Sequence, residues 1–185
     1  LFSQFHCKQV HSIKGQGGVK KAVSRIQDAL GHYKYVIKTD IADYFQSINH
    51  QLVYQQLEKL IGQGLALRLI DQYCHRVEIY QGHYCHVNQG IAKGGSLSPI
   101  LGNLYLQAVD KLLKQRNVFY ARYVDDIVIL TKTKGQARKA LKALYKQLDL
   151  LRFASAKFGS ISIAFSKYFN ASLVFPCLPC SIPKL

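Results

Sequence analysis

Two adjacent aspartates, Asp125 and Asp126, stand inside an otherwise apolar stretch, ARYVDDIVIL. Aliphatic residues precede and follow them, so the segment has the composition of a buried strand. Two like charges this close repel each other, and burying either one is costly unless a positive partner lies beside it. A tight turn at the edge of a sheet resolves the conflict, because it can present both carboxylates to a metal ion.

The overall charge indicates a polyanionic partner. The 185 residues include 25 Lys and Arg against 10 Asp and Glu, which gives a net charge of +15. Basic side chains release condensed counterions when they bind a phosphate backbone, so we favour nucleic-acid binding over a merely soluble basic protein. Hydrophobic residues make up 49% of the chain, which is enough for a core and argues against disorder.

The cellular setting is constrained only loosely. No apolar run reaches the length of about 18 residues that a membrane span needs, and no signal peptide is recognisable. The chain begins with Leu1 and contains no methionine, so we expect the true start to be missing. Five cysteines, an odd number without a secretion signal, predict reduced thiols and a cytoplasmic protein.

Hydrophobic periodicity predicts an α+β fold, with helices packed on one face of a small antiparallel sheet. We expect one long helix over 95–115, with Ser96 or Ser98 as its N-cap. The other predicted helices cover 19–30, 49–61, 65–74 and 136–151, the predicted strands cover 33–40, 118–124 and 127–131, and a hairpin covers 76–90 with its turn near Gln81 and Gly82.

The C-terminal tail differs in composition from the two regions that precede it. Residues 1–35 hold a basic glycine-rich loop and a helix, and residues 36–151 hold the predicted sheet with most of the helices. Residues 152–185 contain no acidic residue, are rich in Ser, Phe, Pro and Cys, and show no clear period. We expect this tail to be poorly ordered or foreign to the fold that precedes it.

Asp40 is the candidate third carboxylate, because it ends the apolar strand YVIKTD. Mg²⁺ prefers oxygen ligands, and carboxylates from two neighbouring strand ends can build a two-metal site for phosphoryl displacement. An Asp-Asp dipeptide alone is more often an ordinary turn. The assignment therefore depends on the motifs that accompany the pair.

YVDD at 123–126 resembles the Tyr-x-Asp-Asp motif of reverse transcriptases, and two further motifs accompany it in that family's order. IKTDIADYFQSINH, at 37–50, is similar to their first catalytic strand, and NQGIAKGGSLSPILGNLYL, at 88–106, is similar to their Gly-rich loop and helix. VHSIKGQGGVKKAV, at 10–23, resembles the basic loop of the bacterial branch that includes group II intron and retron enzymes. The resemblance covers about residues 7–150 and implies a polymerase palm at 36–151, with part of the fingers at 1–35.

The resemblance also implies roles for individual residues. Asp40, Asp125 and Asp126 match the family's carboxylates for Mg²⁺ or Mn²⁺, which would be the positive partner of the pair. Phe45 matches the aromatic residue that disfavours a 2′-hydroxyl, although plain core packing is the alternative for this side chain. Lys93 stands where the family has glutamine, and the two glycines after it would let the backbone approach the nucleotide and the template base: Gly94 and Gly95.

The activity implied is that of an RNA-directed DNA polymerase, in which a primer 3′-hydroxyl attacks the α-phosphate of a deoxynucleotide. The implied partners are an RNA template, a DNA or RNA primer and deoxynucleoside triphosphates, with no membrane; a cognate structured RNA could be a further partner. Four basic residues could line the template or triphosphate path, or form a solvated helix face: Lys14, Lys20, Lys21 and Arg25.

Other functions remain open at this stage. Phe45 argues against an RNA-templated RNA polymerase, and Tyr123 with Val124 before the aspartates argues against a nucleotide cyclase. The segment after residue 151 supplies no clear thumb, so a truncated remnant that binds nucleic acid without turnover is the second alternative.

The sequence offers two weak candidates for a zinc site. The segment at 74–86, CHRVEIYQGHYCH, has two Cys and three His, but their spacing fits no zinc pattern. Cys177 with Cys180 is a lone pair, which cannot close a four-ligand site.

Overall fold

The structure, a computed structural model, describes residues 7–13, 15–151 and 162–165. The helices are α1 (Gly18–Leu30), α2 (Tyr44–Ser47), α3 (His50–Ile61), α4 (Leu65–Cys74), α5 (Ser98–Tyr105), α6 (Gln107–Gln115) and α7 (Lys134–Leu150). The strands are β1 (Tyr35–Thr39), β2 (Val77–Tyr80), β3 (His83–His86), β4 (Phe119–Tyr123), β5 (Asp126–Thr131) and β6 (Ser162–Phe165). Within the described part of the chain, no helix is long and apolar enough to cross a membrane.

The central sheet has four antiparallel strands in the order β4, β5, β1, β6. β4 and β5 form a hairpin in which Tyr123 pairs with Asp126. β5 also pairs with β1, where Thr39 lies opposite Ile127. The aspartate pair and the end of β1 therefore meet at the same edge of the sheet.

Alternation along the strands gives the sheet two buried faces. One face of β1 and β5 joins the main core with α3, α5, α6 and α7, and includes Ile37, Ile127 and Ile129. The other face packs against α1 through Val36 and Val128. The predicted α+β plan is confirmed, and the structure adds α1 on the face opposite the other core helices.

The prediction of one long helix over 95–115 is wrong, because the segment forms α5 and α6 with Leu106 between them. The amide of Val109 donates to the carbonyl of Leu106 at 2.9 Å, a three-residue spacing that tightens the turn at this junction. The predicted serine cap is also wrong. Leu97 precedes α5 without a side-chain cap, since the Ser98 hydroxyl donates instead to the carbonyl of Ala92.

The tail contributes one strand that the hydrophobic pattern does not predict. β6 pairs with β1, with Ile163 opposite Ile37. The rest of 152–185, including Cys177 and Cys180, lies outside the described residues.

The hairpin predicted near Gln81 and Gly82 is confirmed as β2 and β3, and both turn residues have positive φ.

α7 offers a direct test of the core, because two leucines on this helix differ in burial. Leu144 is 1% exposed and belongs to the main core, whereas Leu150 is 63% exposed. We expect Leu144→Ala to lower the free energy of unfolding by about 2–5 kcal/mol, through lost burial and the cavity left behind. Leu150→Ala should change it by less than about 0.5 kcal/mol. Urea denaturation of both variants checks this, and equal losses would contradict the packing described.

Candidate active site

The turn between β4 and β5 carries the aspartate pair in a constrained conformation. Val124 and Asp125 form the turn, and Asp126 begins β5. Val124 has a φ of 56°, in the left-handed region that β-branched residues rarely adopt. Such a conformation costs about 1–3 kcal/mol and persists only when surrounding contacts hold it in place.

Arg122 supplies those contacts from beneath the turn. Its side chain is buried and donates to both carboxylate oxygens of Asp110, from Nε at 3.0 Å and from Nη2 at 2.7 Å. Nη1 donates to the carbonyl of Val124 at 2.7 Å and to Oδ1 of Asn103 at 3.0 Å. Burial alone would lower the pKa of Arg122, but the charge and hydrogen bonds of Asp110 raise it above its ordinary value.

Asp40 lies beside the pair at the end of the neighbouring strand. It directly follows Thr39, whose partner Ile127 directly follows Asp126. Burial raises the pKa of Asp125, and the negative charge of Asp40 raises it further. Burial, then Asp125 and then Asp40 raise the pKa of Asp126 to about 7, while Lys38 acts in the opposite direction. The three carboxylates thus repel one another.

Three carboxylates at one sheet edge are a donor set that suits a hard divalent cation, since such ions prefer oxygen ligands. Their mutual repulsion is the second sign of fit, because a cation would relieve it. As the side chains are placed, no group of three or more His, Cys, Asp or Glu residues among those described could hold a metal ion. The residues therefore fit an ion by chemistry and charge, while the predicted ligand set remains a proposal.

A cleft of about 350 Å³ opens in front of the turn. It brings the aspartate pair together with Phe45 and Lys93, two of the side chains predicted for the nucleotide site. Phe45 is half-buried and packs against Tyr44, with ring centroids 5.2 Å apart. The cleft is lined by Asp43, Tyr44, Phe45, Gln46, Lys93, Tyr123, Val124, Asp125 and Asp126.

The two glycines of the Gly-rich loop have different surroundings. Gly94 has a φ of +81° and open space around the position of a Cβ, and neither glycine is among the residues that line the cleft. A Cβ on Gly95 would collide with the hydroxyl of Tyr73. That hydroxyl is 3.0 Å from Oγ of Ser98, so α4 and α5 both hold the loop. A side chain at position 95 would therefore displace the Tyr73 ring, a packing role for Gly95 that the motif does not reveal.

The predicted basic residues fall into different environments. Lys20 and Lys21 are exposed on α1, whereas Lys14 lies outside the described residues. Arg25 is half-buried, donates to the carbonyl of Lys8 at 2.7 Å and lies 6.0 Å from the ring centre of Phe119. The two lysines are open to a ligand, and Arg25 already has partners within the fold.

The Cys and His residues at 74–86 do not converge. Cys74 is buried in the main core, and burial raises the pKa of its thiol to about 11. Cys85, His83 and His86 are exposed on the separate β2–β3 hairpin. This segment forms no metal-ligand cluster among the described residues.

Sequence reasoning missed the residues that support the turn and the loop. The sequence motifs do not include Arg122 or Asp110, although a charged residue between the apolar positions of a strand signals a buried partner. Tyr73 belongs to the helix predicted over 65–74. No sequence signal identifies its contact with Gly95, because that contact depends on how α4 packs against the loop.

The amino-acid sequence is similar to that of a known protein family and of several of its members. The sequence model of the family described as reverse transcriptase (RNA-dependent DNA polymerase) matches residues 1–156. Protein YkfC of Escherichia coli (strain K12) is 24% identical over 56% of this chain. The group II intron-encoded protein LtrA of Lactococcus lactis subsp. cremoris is 25% identical over 60% of it. The chain spans 36% of the first relative's length and 19% of the second's.

Solved structures with a similar fold include two telomerases. An apo telomerase from Candida tropicalis, truncated from its C-terminal domain, aligns with a TM-score of 0.60 and 16% identity, over 85% of this chain and 36% of its own. A telomerase from Candida albicans, in complex with the TWJ fragment of telomeric RNA, aligns with a TM-score of 0.61 and 12% identity, over 77% and 30%. These likenesses concern the fold, and they confirm the predicted polymerase palm.

The burial of Asp126, together with repulsion from the two neighbouring carboxylates, makes stability depend on pH. A carboxyl whose pKa rises on folding from 3.8 to about 7 is neutral in both states below 3.8, and destabilises the fold as pH rises through that interval. In chelator, Asp126→Asn should therefore raise Tm above pH 7, by about 2–4 °C for each kcal/mol of desolvation and repulsion relieved. The gain should vanish below about pH 4.

The exposed Asp149 on α7 provides the matched control. Asp149→Asn should leave the pH profile of Tm close to that of the wild type. Thermal melts of the three proteins between pH 4 and 8 make the comparison. A gain for Asp126→Asn that is equally large at both ends of this range would refute the electrostatic account.

Proposed function

The chain belongs to the reverse transcriptase family, and from that premise we propose that it is the catalytic palm of an RNA-directed DNA polymerase. The observation that carries the proposal is the meeting of three aspartates at adjoining strand ends, beside a cleft that also contains Phe45 and Lys93. Nucleotidyl transfer needs such a concentration of carboxylates where a triphosphate and a primer end can approach each other.

Divalent metal ions are generally used in this family, and we propose Mg²⁺, with Mn²⁺ as a substitute, for this chain. Asp40, Asp125 and Asp126 would hold the ions. When bound, they would supply the positive charge that activates the primer hydroxyl and offsets the charge developing on the phosphate. The raised pKa values of Asp125 and Asp126 support this assignment, since a nearby cation would favour the ionised forms of both.

The cleft would hold the incoming deoxynucleotide. Lys93 is exposed at its border, where its ammonium group can approach a triphosphate as a point charge. Phe45 is half-buried against Tyr44, and Tyr44 donates a hydrogen bond to the carbonyl of Gly102, so the aromatic floor is fixed from below. A rigid ring at this position would disfavour a 2′-hydroxyl by steric exclusion. Gly94 does not line the cleft, but it follows Lys93 directly and would let the loop backbone approach a ligand bound there.

An RNA template and a DNA or RNA primer would be the nucleic-acid partners. The net charge of +15 supports this, together with the exposed lysines Lys20 and Lys21 on α1. The Candida albicans telomerase that shares the fold was solved with an RNA fragment, which fits an RNA partner here. The three cysteines that are free among the described residues, Cys7, Cys74 and Cys85, agree with a reducing cytoplasmic location.

Primer extension tests the proposal. With an RNA template, a DNA primer, deoxynucleotides and Mg²⁺, we expect extension by the wild type and a loss of at least about 100-fold in Asp125→Asn, because a charged ligand is removed with little change of shape. Affinity for the primer–template duplex should stay within about threefold, since one charge is small beside the whole basic field. Asp149→Asn is the matched control and should keep full activity.

Two results would count against the proposal. Extension by Asp125→Asn at the wild-type rate would show that the aspartate pair is not part of the working site. Tight duplex binding without extension by any of the three proteins would favour the alternative function, a palm that binds nucleic acid without turnover.

A further inference from the structure

We propose that Arg122, held by Asp110, is a positioning residue that aims the aspartate pair by fixing the carbonyl of Val124. The inference rests on the proposed function, because it concerns how the metal-binding carboxylates are oriented. Neither Arg122 nor Asp110 lines the cleft, so neither would touch a substrate. Both act through the turn.

The guanidinium group is committed in two directions. Of its five N–H groups, one on Nε and one on Nη2 donate to the carboxylate of Asp110. Nη1 donates to the carbonyl of Val124 and to Oδ1 of Asn103. Arg122 is 1% exposed and Asp110 is 4% exposed, so water does not compete for these bonds. The bidentate pair fixes the plane of the guanidinium, and that plane determines where Nη1 points.

The turn needs such a support because Val124 is a poor residue for its conformation. A valine with a φ of 56° gains by rotating back to negative φ, and the rotation would move the carboxylates that follow it. The bond from Nη1 of Arg122 to the Val124 carbonyl, 2.7 Å long, joins this peptide to the buried core. Loss of that bond would free the turn while leaving the strands paired.

Arg122 also connects the turn to the basic N-terminal loop, through its side chain and through its backbone. Oδ1 of Asn103 accepts from Nη1 of Arg122 and from Oγ of Ser12, at 3.0 and 2.9 Å. The backbone of Arg122 bonds to Gln9 and His11 on either side of Val10, each at 2.9 Å. The position of the loop before α1 and the position of the aspartate pair are therefore set by one buried residue.

A role in stability alone does not explain this arrangement. A buried ion pair often contributes little net stability compared with well-packed apolar residues, because desolvation offsets the attraction. An ion pair that served only the core would not need a third bond to a turn in a strained conformation. The direction of Nη1 toward Val124 is what assigns a positioning role.

The test compares ion binding and catalysis in Arg122→Lys, using the full chain. Lysine keeps the charge but cannot bind Asp110 with two bonds while also reaching the Val124 carbonyl. We expect Mn²⁺ binding, followed by electron paramagnetic resonance, to weaken by about 10–100-fold, as for other residues that orient metal ligands. The Mg²⁺ concentration for half-maximal extension should rise by a similar factor, with duplex affinity unchanged.

Tyr120→Phe is the matched control for a change in the same buried cluster. The Tyr120 hydroxyl donates to the backbone carbonyl of Asp110 at 3.2 Å and does not contact the turn. This variant should lose stability but keep the wild-type Mn²⁺ affinity. Equal weakening of Mn²⁺ binding in Tyr120→Phe and Arg122→Lys would overturn the inference, because general loosening of the core would then explain both.

Two further variants keep the inference testable. Val124→Gly added to Arg122→Lys should recover part of the Mn²⁺ affinity, since glycine adopts the left-handed turn without support. If Arg122→Lys does not fold, Asn103→Ala replaces it. That change keeps the ion pair and removes one acceptor of Nη1, so it should weaken Mn²⁺ binding in the same direction but less. Wild-type affinity in Asn103→Ala, or no recovery in a folded double variant, would contradict the proposal.

Failure of the inference is distinguishable from failure of the proposed function. A wild-type chain that neither binds Mn²⁺ at the aspartates nor extends a primer would overturn the function itself. A wild type that does both, with Arg122→Lys indistinguishable from it in Mn²⁺ and Mg²⁺ dependence, would overturn only the positioning role.

Discussion

The buried ion pair between Arg122 and Asp110 connects the parts of this fold on which the active site depends. It joins α6 to β4, and its remaining hydrogen bonds reach the Val124 carbonyl and Asn103. Leu106 separates α5 from α6, and Asp110 lies in the first turn of α6. The strained turn, the break in the helical segment and the attachment of the N-terminal loop are thus parts of one arrangement around a single guanidinium group.

The folded site disfavours the charged forms of its own aspartates. Asp125 and Asp126 are half-buried beside Asp40, and each would be more easily accommodated in its neutral form. If the concentrated negative charge had no function, either Asp125 or Asp126 could be a neutral residue instead, because most surface turns accept such changes with little loss of stability. Strain at Val124 and repulsion among the carboxylates coincide at the same few residues, as is usual where a fold holds functional groups in place.

Much of this could be predicted from the sequence, for identifiable reasons. Asn49 is of a residue type favoured at helix N-caps, and its side chain accepts from the amide of Leu52; such capping depends only on residues close in sequence. The meeting of Asp40 with the aspartate pair followed from strand ends and motif order. The helix break at Leu106, the strand at 162–165 and the contact of Tyr73 with Gly95 depend on long-range packing, which no local pattern encodes. A buried partner for Arg122 is, by contrast, indicated by the sequence, since a charge within an apolar strand implies one.

The central claim is that Asp40 and the turn at Asp125 and Asp126 form one metal site, aimed from beneath by Arg122. The most direct measurement is the crystal structure of the chain grown with Mn²⁺, with diffraction recorded on both sides of the manganese absorption edge. We expect an anomalous peak bounded by the carboxylates of Asp40 and of the pair, with the Arg122 to Val124 hydrogen bond intact. Manganese bound elsewhere, for example at the histidines of the β2–β3 hairpin, with no peak at the aspartates, would contradict it.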